Sequence, residues 1–126
     1  MNKPENPFNL YKLVEAANIQ ELIILSNNED EKIRTAVAGD GKLSENLFLK
    51  LAQDSSAGVR CALVSRMDTP HNILMMLIDD PEWEVRWGVA NCNNSTIEIL
   101  EKLLDDSHEA VRHDAQEHID HLKGKV

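Results

Sequence analysis

Basic residues, aromatics, cysteines and long apolar runs are all scarce in this sequence. Lys and Arg total 13 against 22 Asp and Glu, a formal net charge of −9. Binding to a phosphate backbone needs clustered Lys and Arg, so direct contact with nucleic acid is not expected. A basic protein partner is compatible with this balance. The acidic excess is uneven, with 12 acids against 5 bases in residues 70–126. Its plainest reading is a solvated face that keeps the chain soluble.

The two cysteines, Cys61 and Cys92, are far apart and form no CxxC pair. That spacing supports neither a zinc site nor a disulfide framework, and buried free thiols in a reducing compartment are expected. No apolar run approaches the roughly 20 residues of a membrane helix. The opening "MNKPENPFNLYK" lacks the charged-then-apolar layout of a signal peptide. A soluble, cytoplasmic protein is expected, with no membrane contact. There is no GxSxG, no phosphate-binding glycine loop and no HExxH. The sequence therefore points away from an enzyme, and it implies no cofactor.

What the sequence does contain is a repeat. Ile33-Arg34, Val59-Arg60, Val85-Arg86 and Val111-Arg112 recur at a step of 26. Leu25, Leu51, Leu77 and Leu103 follow the same step, as do Leu22, Phe48, Leu74 and Leu100. A third column is Asn28, Asp54, Asp80 and Asp106, and a fourth is Val37, Leu63, Val89 and Ala115. Chance does not align four columns over four repeats.

Each repeat reads as two short helices. The first is apolar at helical spacing, as in "IEILEKLLDD", where Ile97, Leu100, Leu103 and Leu104 share a face. The Asp or Asn of the third column is expected to cap the second helix. Pro81 then occupies a first helical position, and Asn28 with Glu31 and Asp106 with Glu109 have capping-box spacing. Thr69-Pro70 and Ser95 with Glu98 read as fresh helix starts. A pair of such helices cannot bury its apolar faces alone, so stacked copies are expected to share one core. The predicted architecture is all-α: a short α-solenoid of four two-helix repeats over residues 18–126. Residues 1–17, with "PFNLYKLVEAA", are predicted to form an N-terminal helical cap of the same domain. The last repeat carries Asp114 and Gln116 where the others have small or apolar residues, as suits a terminal unit with a polar outer face.

The pattern LxxLAxDxxxxVRxxVAxNxxTP, present as "LFLKLAQDSSAGVRCALVSRMDTP" and "LMMLIDDPEWEVRWGVANCNNST", resembles leucine-rich repeat variant proteins. These are relatives of the HEAT-like helical repeats. The resemblance covers about residues 18–120 and implies a right-handed superhelix and protein binding. Some members resemble iron–sulfur proteins through an N-terminal cysteine cluster. No cysteine precedes Cys61 here, so that cofactor does not carry over.

Three sets of residues are candidates for function. The ladder Arg34, Arg60, Arg86 and Arg112 lies near the Asp/Asn column. Arginine can grip carboxylates through two bonds, so the ladder either holds a neighbouring Asp or turn, the reading favoured because every repeat has one, or binds an anion. Trp83 and Trp87 fall opposite Val85 and Val89 at about 100° per residue. With Asn91 they form either a partner-binding surface anchored by tryptophan or a lateral contact covering Cys61 and His113 on adjacent units. Asp114, His118 and His121 share a face at i, i+4 and i+7, a spacing that can hold a transition metal. "VRHDA" also resembles the "VRHEA" of helical-repeat metal hydroxylases, but the matching positions in the other repeats are Thr35-Ala36, Cys61-Ala62 and Trp87-Gly88. A solvated helix with pairs such as Glu117–His121 is the favoured reading there.

These features lead to a non-enzymatic protein–protein interaction module, an adaptor or scaffold, as the expected function. One alternative is an acidic inhibitor or immunity-type protein that blocks a basic toxin or a nucleic-acid enzyme, steered by its charge. The other is a metal-dependent enzyme using the last helix. A monomer and a homodimer are both compatible with the sequence.

Overall fold

The computed structural model describes residues 7–125, with side chains described from Leu10 onward. The first six residues of the expected cap lie outside the described residues. Among those described, every regular element is an α-helix. In chain order they are α1 (Pro7–Ala16), α2 (Ile19–Leu25), α3 (Glu31–Asp40), α4 (Glu45–Ala52), α5 (Ala57–Val64), α6 (His71–Leu77), α7 (Trp83–Ala90), α8 (Ile97–Lys102) and α9 (Glu109–Leu122). The starts of α2, α4, α6 and α8 differ successively by 26 residues, and so do those of α3, α5, α7 and α9. The chain divides into two compact units, Met1–Leu63 and Val64–Val126. The division falls at the end of α5, not near residue 17.

Most of these helices are too short to be stable alone, because nucleation is costly and isolated helices need roughly 12–15 residues. Capping and burial supply the difference. Asn18 and Glu21 form a reciprocal capping box at α2, with both bonds at 2.9 Å. Ser44 caps α4 and Thr96 caps α8. Burial follows the repeat columns. Leu22, Phe48, Leu74 and Leu100 are all buried, as are Val37, Leu63, Val89 and Ala115. Each large apolar side chain removed from water contributes about 1.5–3 kcal/mol. In the first unit α1 and α2 pack on α3; in the second α9 packs on both α7 and α8.

The Asp/Asn column plays a different part from the expected one. The second helices begin three residues later, and their caps are Asp30 at α3, Glu82 at α7 and His108 at α9. Asn28, Asp54, Asp80 and Asp106 instead each accept the backbone N–H two residues on, at 2.8–2.9 Å. Short Asx side chains make this bond readily, and it turns the chain before the helix rather than capping it. Pro81 accordingly precedes α7. Ser95 is also not a cap: its buried hydroxyl donates to Val89 O at 2.6 Å.

Two glycines are dictated by space and conformation. A Cβ at Gly88 would overlap Val64 Cγ2, so α7 approaches that side chain closely because residue 88 has none. Gly124 ends α9 with φ 73°. Its N–H donates to His121 O and that of Lys125 to Asp120 O, the paired bonds of a Schellman motif.

Candidate functional site

The tryptophans owe their position to the α7 period. Val85 and Val89 are wholly buried. Trp83 and Trp87 therefore rise on the outer side, 36% and 41% exposed. Their rings meet edge to face, with centroids 6.4 Å apart at 66°, a favourable aromatic geometry.

Neighbours from the next repeat hold both rings. Trp83 stacks on His108 at 3.8 Å and 8°. The imidazole is itself anchored, because its Nδ1 accepts the Ala110 N–H and caps α9. Trp87 Nε1 donates to Asp114 Oδ2 at 2.7 Å, and Asn91 Nδ2 donates to the same oxygen at 3.0 Å. Asn91 Nδ2 also reaches Trp87 O. Trp83, Trp87 and Asn91 thus share one surface with His108 and Asp114. Trp87 is tied to α9 through Asp114.

The charges beside Trp87 reinforce one another. Asp114 Oδ1 lies 3.0 Å from His113 Nδ1, and His113 Nε2 lies 3.7 Å from Glu117 Oε2. The His113 bond, followed by that of Asn91, holds the Asp114 carboxyl below its ordinary range against a smaller upward push from burial. Asp114, and then Glu117, push His113 above the usual imidazole value.

The same groups decide how the last helix compares with a metal site. Among the described residues, His113, Asp114 and Glu117 offer three ligand atoms within 4.8 Å of one another. Asp114 already accepts from Trp87, Asn91 and His113, so the cluster reads as an internally satisfied ion network. The expected triplet is divided. His118 Nδ1 lies 2.9 Å from Ala90 O, Asp114 is engaged with α7, and His121 is exposed.

The arginines work between turns. Each points Nη1 at the carbonyl six residues back: Arg34 to Asn28, Arg60 to Asp54, Arg86 to Asp80 and Arg112 to Asp106, at 2.6–2.8 Å. Arg34 also grips Asp54 through Nε at 2.9 Å and Nη2 at 3.2 Å. Arg86 grips Asp106 likewise, at 2.7 and 3.2 Å. Burial pushes the Asp54 and Asp106 carboxyls up, but the arginine fork and the Ser56 or His108 N–H outweigh it, so both lie below the ordinary range. An arginine held this way ties one turn to the next and has little left for an external anion.

Other features frame this site. Neither cysteine forms a disulfide. Cys61 is half-buried, whereas Cys92 is buried and its thiol is pushed up by that burial, which keeps it unreactive. No helix among the described residues is long and apolar enough to cross a membrane. In the first unit Leu13 of the expected cap and Ile24 of α2 are both more than half exposed. A groove of about 410 Å³ there is lined by Leu10, Leu13, Ala16, Ala17, Ile24 and their neighbours.

Sequence reasoning missed His108 as the stacking partner of Trp83. The signal lay in the register. Residues 25 to 28 apart meet across neighbouring turns in this unit, as in Asn94–Thr69, Cys92–Arg66 and His118–Ala90. Trp83–His108 and Trp87–Asp114 obey the same spacing. No family model matches the chain, and neither the curated proteins nor the solved structures give a match.

Proposed function

We propose that this chain is a non-enzymatic protein-binding module whose partner docks on Trp83, Trp87 and Asn91. One observation carries the reading: two half-exposed tryptophans are fixed by a stacked His108 and a hydrogen-bonded Asp114. Large aromatic side chains held rigid in the free protein lose little entropy on binding, and tryptophan is enriched among the residues that dominate interfaces. The titratable groups beside Trp87 direct their bonds at one another, which favours a contact surface over a reaction centre.

The architecture proposed with this function is a short α-solenoid of four two-helix repeats, similar to the leucine-rich repeat variant and HEAT-like proteins. The constant 26-residue step of the helix starts and the recurring arginine–carbonyl bonds support it. Repeat arrays of this type present extended surfaces to protein partners.

The test is affinity capture from an extract of the source cells, with the native chain and the Trp83→Ala, Trp87→Ala variant immobilised in parallel. A partner retained by the native chain and absent from the variant is expected. Equal recovery on both, with the variant shown to be folded, would remove the tryptophans from the binding surface.

A further inference from the structure

The arginine ladder contains a built-in template for recognition, and its last member has the template half filled. Arg34 and Arg86 each use Nη1 on the carbonyl six residues back and the Nε–Nη2 edge on an Asp twenty residues ahead. Arg112 makes the first of these bonds, to Asp106 O at 2.7 Å. That bond uses the same atom and the matching carbonyl as in its counterparts. Among the described residues it is the sole side-chain hydrogen bond of Arg112, and the residue is exposed. Its Nε–Nη2 edge, which Asp54 and Asp106 satisfy on Arg34 and Arg86, is therefore open to a ligand.

A groove of about 410 Å³ lies beside this edge, lined by Leu104, Glu109, Arg112, His113 and Gln116. Leu104 is half-buried there and supplies an apolar floor. In the second unit, the segment that fills the corresponding place next to Arg86 is known. It is the Asp106 turn and the start of α9: Asp106 on Arg86, His108 on Trp83, Asp114 on Trp87 and His118 on the Ala90 carbonyl. The chemistry of a fitting occupant can be read from it: an Asp folded into an Asx turn that opens a helix.

We propose that the Arg112 groove docks such an acidic turn and helix start from a partner protein, with the partner's Asp carboxylate gripped by the Nε–Nη2 edge of Arg112. Charge complementarity selects the ligand. The fork presents two parallel donors, a geometry that matches a carboxylate. A second copy of the chain suits the groove less well. Its Asp54 and Asp106 carboxylates are held by their own arginines, and the first member of the column, Asn28, carries no charge. This groove stands apart from the tryptophan surface and does not depend on it, although His113 borders both.

The test uses the full chain labelled with nitrogen-15 and a synthetic peptide copying residues 104–118, the segment that meets Arg86 and α7. Saturable amide shifts at Leu104, Glu109, Arg112, His113 and Gln116 are expected on titration. Arg112→Gln should weaken the peptide about tenfold or more, the effect of losing a charge-assisted pair. The same loss is expected when the peptide carries Asp106→Asn. Arg112 is exposed with one side-chain hydrogen bond, so the variant should fold, and unchanged shifts elsewhere would verify it. The proposal is overturned by an absence of saturable shifts in the groove, or by equal affinity for either altered partner. Shifts centred on Arg86, from a peptide displacing the Asp106 turn and α9, would overturn it as well. Sedimentation showing self-association that depends on Arg112 would assign the groove to a second copy and overturn the partner assignment.

Discussion

Arg86 and Asp106, twenty residues apart, are joined by two hydrogen bonds, Nε–Oδ2 at 2.7 Å and Nη2–Oδ1 at 3.2 Å. The same arginine reaches Asp80 O, and the same carboxylate accepts the His108 N–H. One ion pair thus links the turn before α7 to the turn before α9. The two side chains are 14% and 5% exposed, so water competes weakly for either. Arg86→Gln should therefore cost about 2 kcal/mol of unfolding free energy, within the range for hydrogen bonds to charged groups. Denaturant unfolding of Arg86→Gln, Asp106→Asn and the double variant checks this. Losses that simply add would show that the two side chains do not act together.

Acid should undo the same links. Asp54 and Asp106 have carboxyls held below the ordinary range in the folded chain. Their contribution is complete above the unfolded carboxylate value, about 4. It is lost as pH falls through the lower folded values. Thermal melting temperature should drop in that window, and Asp106→Asn should flatten part of the drop. Carboxyl carbon shifts of Asp54 and Asp106 should titrate later than those of exposed carboxylates.

Gly88→Ala should destabilise the protein, although alanine is the better helix former by about 1 kcal/mol. The added methyl collides with Val64 Cγ2, and overpacking of this kind costs about 1–3 kcal/mol. Pairing it with Val64→Ala makes room and should recover part of the loss. A melting temperature raised by Gly88→Ala alone would show that α7 can move away from Val64.

The His113–Asp114 contact should show in a titration. His113 is pushed above the usual imidazole value by Asp114 first and Glu117 second. Its contribution to stability is complete below that usual value and fades as pH rises through the raised one. Asp114 works in the opposite sense, contributing above its usual range and fading as pH falls through its lowered value. The pair is thus intact between the two folded values. Proton NMR of His113 should give a high midpoint in the native chain, and Asp114→Asn should return it toward about 6.5. An unmoved midpoint in that variant would leave Glu117 as the dominant neighbour.

Much of the fold was legible because the repeat writes its register into the sequence. The buried columns through Leu74 and Val89 follow from period and hydrophobicity alone. The Asp column misled because Asp serves two local motifs with similar sequence contexts. Asn28 closes the same Asx turn as Asp106, so the choice lies in where the second helix starts, three residues on, and helix ends are the part of an element that local sequence marks least sharply. The outward position of Trp83 and Trp87 was readable from Val85 and Val89. The stack on His108 was not, because it needs the 25-residue offset between neighbouring turns. The apolar outer side of α1 and α2, with Leu13 and Ile24 exposed, also departs from the polar face that a terminal cap calls for.

The central claim is that a partner binds on the tryptophan surface, and both tryptophans of the chain lie in it. Intrinsic emission therefore reports that surface without a label. The decisive measurement is the dissociation constant of the captured partner, read from that emission for the native chain and by calorimetry for native chain and Trp83→Ala, Trp87→Ala variant together. A saturable change in emission is predicted, with affinity lowered roughly thirtyfold or more in the variant, as loss of an interface hot spot implies. Binding by calorimetry with unaltered emission and equal affinity for the folded variant would contradict the account.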